Sequence, residues 1–496
     1  MSCHHLMKKA GIILMVLFLT ALAAGQDEIP KVGQVKAETS KEVKSSSNFL
    51  DDEGEVTNRY RGPEDPDMAE PEMFPIPKEP KEPEKKAATP SKIITYNVET
   101  GEEIIQEVTY KSMPDSAWSV PGLGENVKLP LKNPEYSKEE GKNFSALSLI
   151  NNPENYPWRV NCKLYYKKGG SWKVASGVLI DSMHVLTAGH CVHQGGGGDW
   201  VTDMTVIPGY ENGSWPYGSA GSTQLHSWTG WTDSSNFDHD IGVIDLDRPL
   251  GAMTGWHGYG YKSNCSFFTG NTFNNAGYPA EAPYDGEWMY YWYGTFDSCE
   301  TVLGTWYGYE VRFNRPGYGG QSGSGAYIID GGSRYVYCIA SNSDRVNYTD
   351  FCRLTGNKFG DIGDIISDDL PGSLDLIALD CQGSPTTVDS GDYVSTFNYL
   401  VHNYSTGSYS GRVDVEVYLS TNDNISTADT LVSDQHFNWD FGAKDSVRVN
   451  SSWIQIPSGL STGDYWVGIV IDHSDYNTYN NDSDGQDALK IRVNAT

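Results

Sequence analysis

Acyl transfer to a hydroxyl needs a base beside a serine, a carboxylate to orient that base, and backbone N–H groups aimed at the developing oxyanion. Three short stretches hold those residue types. In VLTAGHCV, residues 185–192, an apolar strand runs into a small-residue turn and then His190, which Cys191 follows. In DHDIGVIDL, residues 238–246, Asp240 stands immediately before an apolar strand, where its side chain can point inward to a histidine. In GGQSGSG, residues 319–325, glycines flank Ser322, so the chain can turn tightly and present the N–H groups of Gly320 and Ser322 to one point. His190 is thus the candidate base, Asp240 its orienting carboxylate and Ser322 the nucleophile. His184 and His193 are rival bases, but neither sits between the small-residue turn and the cysteine, and both read as packing or surface histidines. Asp238 and Asp245 are rival carboxylates; only Asp240 directly precedes the apolar run. A glycine loop with a serine is common, so the weight lies in all three motifs together and in their order.

The elements that carry these motifs read as β. From about 145 to 375 the chain is rich in Gly, Trp and Tyr, with short runs such as WRVNCKLYY, SGVLI, HVLTA, IGVIDL, GAYII and YVYCIAS between turn residues. No long helical period appears before IGDIISDDL at 362–370. That is the pattern of an all-β barrel or sandwich. Residues 381–496 form another region. GRVDVEVYL places Val413, Val415, Val417 and Leu419 on one face, and DYWVGIVID places Tyr465, Val467, Ile469 and Ile471 on one face. Strict alternation over about this length predicts an antiparallel, immunoglobulin-like β-sandwich. Its Gln, Asn and Tyr content suits contact with glycans or a cell surface, and attachment or substrate targeting is expected of it on architecture alone. NDSDGQD at 481–487 resembles part of a calcium loop but lacks the full spacing and the closing glutamate. N-x-S/T sequons occur, at Asn347 and Asn424 among others.

The first residues read as a leader. Lys8 and Lys9 precede an apolar run from Ala10 to about Ala24, too short to span a bilayer comfortably, with Ala21 and Ala23 in an A-x-A cleavage pattern. Residues 1–25 are therefore expected to be a signal peptide, and the protein secreted to the extracellular space with no membrane span. Residues 26–143 are read as the pro-segment of a zymogen, with a permanent N-terminal extension as the alternative. They look disordered to about 92, because KEPKEPEKKAATP and its surroundings cannot bury enough apolar surface to offset ordering. KIITYNVETGEEIIQEVTY then signals a hairpin about a Thr-Gly turn.

Composition narrows the partners. The 496 residues carry 36 basic and 65 acidic side chains, formally −29, so phosphates would be repelled and nucleic acid is not an expected partner. Cys3 lies within the leader. Cys162, Cys191, Cys265, Cys299, Cys338, Cys352 and Cys381 remain, which in an oxidising compartment read as three disulfides and one odd thiol. No C-x-x-C pair suggests zinc. No metal and no cofactor are expected.

At these motifs the sequence resembles the chymotrypsin-like, or trypsin-like, serine proteases, nearest the bacterial glutamyl-endopeptidase branch. The T-A-x-H-C, D-[IL]-[AG]-x-[IL]-x-L and G-x-S-G types match in the family's order, YPWRV at 156–160 resembles the start of the first barrel strand, and GYP at 277–279 recurs in that branch. The resemblance covers roughly 150–370. It implies a protease domain over 144–375 with two six-stranded barrels, His190 and Asp240 on the first and Ser322 on the second. It implies a serine endopeptidase acting on protein or peptide substrates. A silent protease-like binding protein and an esterase on the same nucleophile are the alternatives. Pairing neighbours along such a barrel gives Cys162–Cys191, Cys265–Cys299 and Cys338–Cys352, with Cys381 left over.

Two departures from the family bear on activation and specificity. Where trypsin-type enzymes hold an aspartate for the new N-terminal amine, this chain has the neutral Gln321. Where the glutamate-specific branch places a histidine and a threonine in the primary pocket, alignment gives Ala340 and Gly317. Ser341, Asn342 and Ser343 follow as the pocket-edge strand for the substrate backbone. Pro316 at the pocket base supports no Lys/Arg preference, so a small or apolar preference is the expectation, with an acidic preference restored through the nearby Arg315 as the alternative.

Overall fold

The computed structural model describes residues 63, 69–77, 91–106, 116–122, 147–299, 310–451 and 453–496. The expected leader and most of the expected disordered stretch lie outside them.

Alternating apolar residues build two large sheets that form two half-barrels. In the first, the strands run Glu103–Gln106, Ile93–Asn97, Ser222–Trp228, Gly242–Leu246, His184–Thr187, Ser171–Leu179, Asn161–Lys168 and Thr202–Pro208, and Glu70–Pro71 joins Ser171–Leu179. In the second, the order is Ser298–Cys299, Glu310–Phe313, Thr349–Arg353, Ser333–Ser343, Gly325–Asp330, Phe273–Gly277, Tyr290–Gly294 and Ser148–Leu149, with Gly258–Lys262 linking Ser333–Ser343 to Ser116–Trp118. The sheets thus have nine and ten strands, where six each are expected. Strands that precede residue 150 account for three in the first sheet and two in the second.

The hairpin expected after Lys92 forms. Ile93–Asn97 pairs with Glu103–Gln106 on one side and Ser222–Trp228 on the other, and Gly101 takes φ 70° in its turn. Ile93 and Ile94 are buried in the first half-barrel's core. Ala69–Pro77, inside the stretch expected to be disordered, differs from the expectation: it carries a strand and the buried Phe74. Composition misses this because the apolar surface that orders the segment belongs to other parts of the chain.

The 14-residue helix Gly356–Asp369 starts at Thr355, whose hydroxyl accepts from the Lys358 N–H at 3.4 Å, an N-cap. Beyond it lie a three-stranded sheet (Leu376–Ser384, Thr396–Asn403, Ser446–Ser451) and a five-stranded sheet (Thr387–Asp389, Leu489–Asn494, Gly463–Asp472, Tyr409–Ser420, Thr430–Phe441). Val413, Val415, Val417, Leu419, Val467, Ile469 and Ile471 are all buried in one core with Leu376 and Ala378. Ile377 and Leu379, on the other face of the same strand, pack into the core of the first half-barrel.

The structure joins Cys265 to Cys299. It corrects the other two expected pairings, since Cys162, Cys191, Cys338 and Cys352 are free thiols, as is Cys381. Cys338 stands opposite Arg353 and Cys352 opposite Ile339 in the antiparallel register, so the two sulfurs leave opposite faces of the sheet. Cys338 belongs to one core and Cys352 to another. Cys162 lies four residues from Tyr166 along Asn161–Lys168, roughly 13 Å. Cys162 lies against the Val160 carbonyl and the Leu179 backbone, whereas Cys191 lies against Tyr166, and no bond joins them.

Candidate active site

His190 follows the strand His184–Thr187 on a short 3-10 turn, Gly189–Cys191. Asp240 caps the 3-10 turn Phe237–His239 and leads into Gly242–Leu246, which pairs with His184–Thr187. Neighbouring strands of one sheet therefore bring base and carboxylate together. His190 Nδ1 lies 2.8 Å from Asp240 Oδ2 and 3.1 Å from Oδ1, and Oδ1 also accepts the backbone N–H of His190 at 2.7 Å. Ser341, from the second half-barrel, donates its hydroxyl to Asp240 Oδ2 at 2.7 Å. All three are buried, so these bonds act in low dielectric and fix both groups. Burial disfavours the imidazolium, but the Asp240 carboxylate, with Cys191 beside it, outweighs burial and lifts His190 to about 10.

The loop around Asp240 is held from behind by the helix Gly356–Asp369. Its buried Lys358 ammonium donates to the Asp238 carbonyl and, at 3.1 Å, to the Arg353 carbonyl. Trp228 Nε1 donates to Asp361 at 2.7 Å, tying the same helix to the first half-barrel.

Ser322 lies on the loop before Gly325–Asp330. Its carbonyl accepts from the Ser176 N–H at 2.9 Å, and the Gly323 N–H donates to the Ala340 carbonyl at 3.0 Å. A side chain at Gly323 would strike Thr187 Oγ1 and the Ala188 nitrogen, so this loop presses on the turn that carries His190. Gly320 has φ 92°, and a Cβ there would fall 2.4 Å from the Tyr278 carbonyl oxygen; only glycine fits. That conformation aims its N–H into the cleft, where it donates to the Glu72 carbonyl at 2.9 Å. The Ser322 hydroxyl donates to the same oxygen at 3.4 Å.

The rival groups lie elsewhere. His184 sits in a buried cluster with Asp181 and Asp245, at 3.5 Å from each, and Asp245 is also 2.8 Å from His226. His193 accepts the Gly195 N–H and packs edge-on against Trp200. Gln321 Oε1 accepts the Tyr318 N–H at 2.9 Å, closing its own loop.

Of the expected pocket residues, Gly317 and Ala340 lie beside Phe74: a Cβ at Gly317 would fall 2.6 Å from the Phe74 ring, and Ala340 shares its core. Ser343 Oγ accepts the Gly317 N–H at 3.3 Å and donates to the Tyr348 carbonyl. Asn342 donates to the buried Glu310 at 2.5 Å. Arg315 is exposed, and its carbonyl accepts from Thr349. Sequence reasoning missed the commitment of Ser341 to Asp240, which no local pattern marks. It also missed Glu72 and Phe74; the apolar run Met73–Phe74–Pro75–Ile76 inside a Glu/Pro-rich stretch was the available signal.

Residues 150–283 match the family described as Trypsin. A glutamyl endopeptidase of Bacillus licheniformis is 32% identical over 197 residues, 40% of this chain and 57% of that relative. An extracellular metalloprotease of Bacillus subtilis is 31% identical over 180 residues, 36% of this chain and 54% of the relative. The chain spans about half the length of the curated relatives it matches. Among solved structures, a Glu endopeptidase in complex with MPD aligns at TM-score 0.36 and 21% identity, over 44% of this chain and 96% of the other. The protease Anisep from Arthrobacter nicotinovorans aligns at TM-score 0.35 and 24% identity, over 39% of this chain and 90% of the other.

Proposed function

We propose that this chain, trypsin-like in sequence over residues 150–283, is a secreted serine endopeptidase whose catalytic groups are Ser322, His190 and Asp240. One observation carries the reading: the carboxylate of Asp240 holds the His190 imidazole, while the Gly320 N–H holds a peptide carbonyl beside the Ser322 hydroxyl. Ser322 Oγ attacks the scissile carbonyl as His190 Nε2 takes its proton; the C–N bond then breaks as Nε2 returns the proton to the leaving amine. Gly320 and Ser322 N–H groups meet the oxyanion, and water then hydrolyses the acyl-enzyme by the same base. Asp240 keeps the imidazole in the right tautomer, and Ser341 keeps Asp240 in place. An esterase would use the same groups; a protease-like binding protein would not need them in register.

Residues 1–25 serve as the signal peptide in this reading, 26–143 as the pro-segment and 144–375 as the protease domain. The sheets beyond it form an immunoglobulin-like sandwich for attachment or targeting at a cell surface or glycan. Two carboxylates of the 481–487 loop are engaged within the fold: Asp487 binds Arg248 and Asp484 accepts the Ile425 N–H. The pocket beside Gly317 and Ala340 suits an apolar substrate residue.

The test is Ser322→Ala in the full chain. Peptide hydrolysis is expected to fall at least about 1,000-fold with an unchanged melting temperature, a fluorophosphonate is expected to label the parent at Ser322, and a chelator is expected to leave hydrolysis intact. Full activity in the variant would sink the mechanism. Activity lost to the chelator with Ser322 unlabelled would favour the metal-dependent class named for the Bacillus subtilis relative.

A further inference from the structure

The segment Ala69–Pro77 lies along the whole candidate cleft. Glu70 and Pro71 run parallel to Ser171–Leu179, in register with Lys173 and Val174, and the Glu72 N–H donates to the Val174 carbonyl at 2.8 Å. The Glu72 side chain meets Lys168 at 2.7 Å, and the same ammonium donates to the His190 carbonyl at 2.7 Å. The Glu72 carbonyl rests on Gly320 and Ser322. Phe74, 2% exposed, then enters the pocket beside Gly317 and Ala340, among Phe313 and Phe351. Pro75 presents its carbonyl to the Ser343 N–H at 3.5 Å. A Cβ at Gly319 would fall 2.5 Å from the Met73 sulfur, so glycines admit the segment at two points.

The direction of this chain is informative. In a productive complex the leaving amine lies beside His190, which must protonate it. The substrate chain after the scissile bond therefore runs on the His190 side, and the chain before it runs along the pocket edge. Here the order is inverted: Glu70 and Pro71 lie on the His190 side, and Phe74 and Pro75 on the pocket side. We propose that Glu70–Pro77 is a built-in competitive inhibitor that occupies the cleft in the direction opposite to a substrate, with Phe74 as its anchor in the primary pocket. This rests on the protease reading above and names what the site holds before activation. Reversal lets a peptide carbonyl sit on Gly320 without being cut. The Met73 nitrogen, which would have to leave, lies on the pocket side and receives no proton from His190. The Ser322 hydroxyl is turned to the Glu72 oxygen, and His190 Nε2 has no hydrogen-bond partner among the described residues.

The test uses the full chain and fluorophosphonate labelling of Ser322. Phe74→Asp sets a carboxylate among apolar rings, and labelling is expected to rise at least about tenfold over the parent. Phe74→Ala is expected to move the same way by less, and Ile76→Asp, at a position 57% exposed on the same segment, to leave the rate unchanged. A fluorescein-labelled peptide of residues 69–77, added to the Phe74→Asp chain, is expected to bind by anisotropy, to slow labelling and to be recovered uncut. The same peptide carrying Phe74→Asp is expected to bind at least about tenfold more weakly. Equal labelling of both Phe74 variants and the parent would overturn the proposal, as would cleavage of the peptide after Glu72, which places it in a substrate's direction. Should the peptide bind as stated while no chain is labelled, the docking stands and the protease reading is what fails.

Discussion

At the scale of single residues, the proton on His190 is the quantity to follow. Burial opposes its charge, but Asp240, with Cys191 beside it, lifts it from the ordinary 6.5 to about 10. A histidine whose folded value is raised stabilises the fold fully below pH 6.5, and that contribution is lost as pH rises through about 10. In the proposed mechanism the neutral imidazole is the base, so phosphonate labelling of Ser322 in the full chain is expected to keep climbing from neutral pH toward about 10. A rate-against-pH series checks this; a plateau already reached near neutrality would show that Asp240 does not hold the proton so firmly. His190, Asp240 and Ser322 were all legible as residues, because each sits in a local motif that chemistry demands. Ser341 was legible only as a pocket-edge residue, since its hydroxyl meets Asp240 across a sequence gap of 101 residues.

At the scale of elements, strand register decides the cysteine chemistry. The adjacent strands Ser333–Ser343 and Thr349–Arg353 carry one cysteine each, yet a one-residue offset sends Cys338 and Cys352 to opposite faces. Burial pushes the Cys352 and Cys381 thiols up to about 12 and the Cys162 and Cys338 thiols up as well, so all four stay protonated and inert. Alkylation of the unfolded chain without reductant, followed by peptide mapping, is expected to find the Cys265–Cys299 link intact and Cys162, Cys191, Cys338, Cys352 and Cys381 all alkylated. A Cys338–Cys352 peptide would mean that the register is different from the one described. Proximity in sequence suggested that pair, and the period of two in a strand removes it.

For the molecule as a whole, the sheets after Leu376 are tied to the first half-barrel by charge as well as by packing. Arg248 and Asp487 form a buried bidentate pair at 2.8 and 2.5 Å, and Asp487 also accepts the Asp380 N–H at 2.9 Å. The Lys444 ammonium meets one carboxylate oxygen of the buried Asp181. Removing the carboxylate leaves the buried Arg248 with the Tyr217 carbonyl as its remaining short contact and no paired charge, so Asp487→Ala is expected to cost about 3–5 kcal/mol of stability. Urea unfolding of the full chain measures it; a loss below about 1 kcal/mol would mean that Arg248 finds water or another partner. A chain ended near Asp375 removes the same partner together with the strand whose Ile377 and Leu379 enter the first core.

The sequence by itself determined the β periodicity, the three motifs that hold His190, Asp240 and Ser322, and the alternating faces of Tyr409–Ser420 and Gly463–Asp472. Each of these is a local pattern, set by what one strand or one turn must bury or present. Only the tertiary structure decided which cysteines meet, which hydroxyl steadies Asp240, and that Ala69–Pro77 is ordered in the cleft. Those outcomes depend on surfaces contributed by distant parts of the chain. Phe74 is disordered by its neighbours' composition and ordered by a pocket built some 240 residues later, around Gly317 and Ala340. A window along the sequence holds the cost of ordering such a segment but not the apolar surface that offsets it.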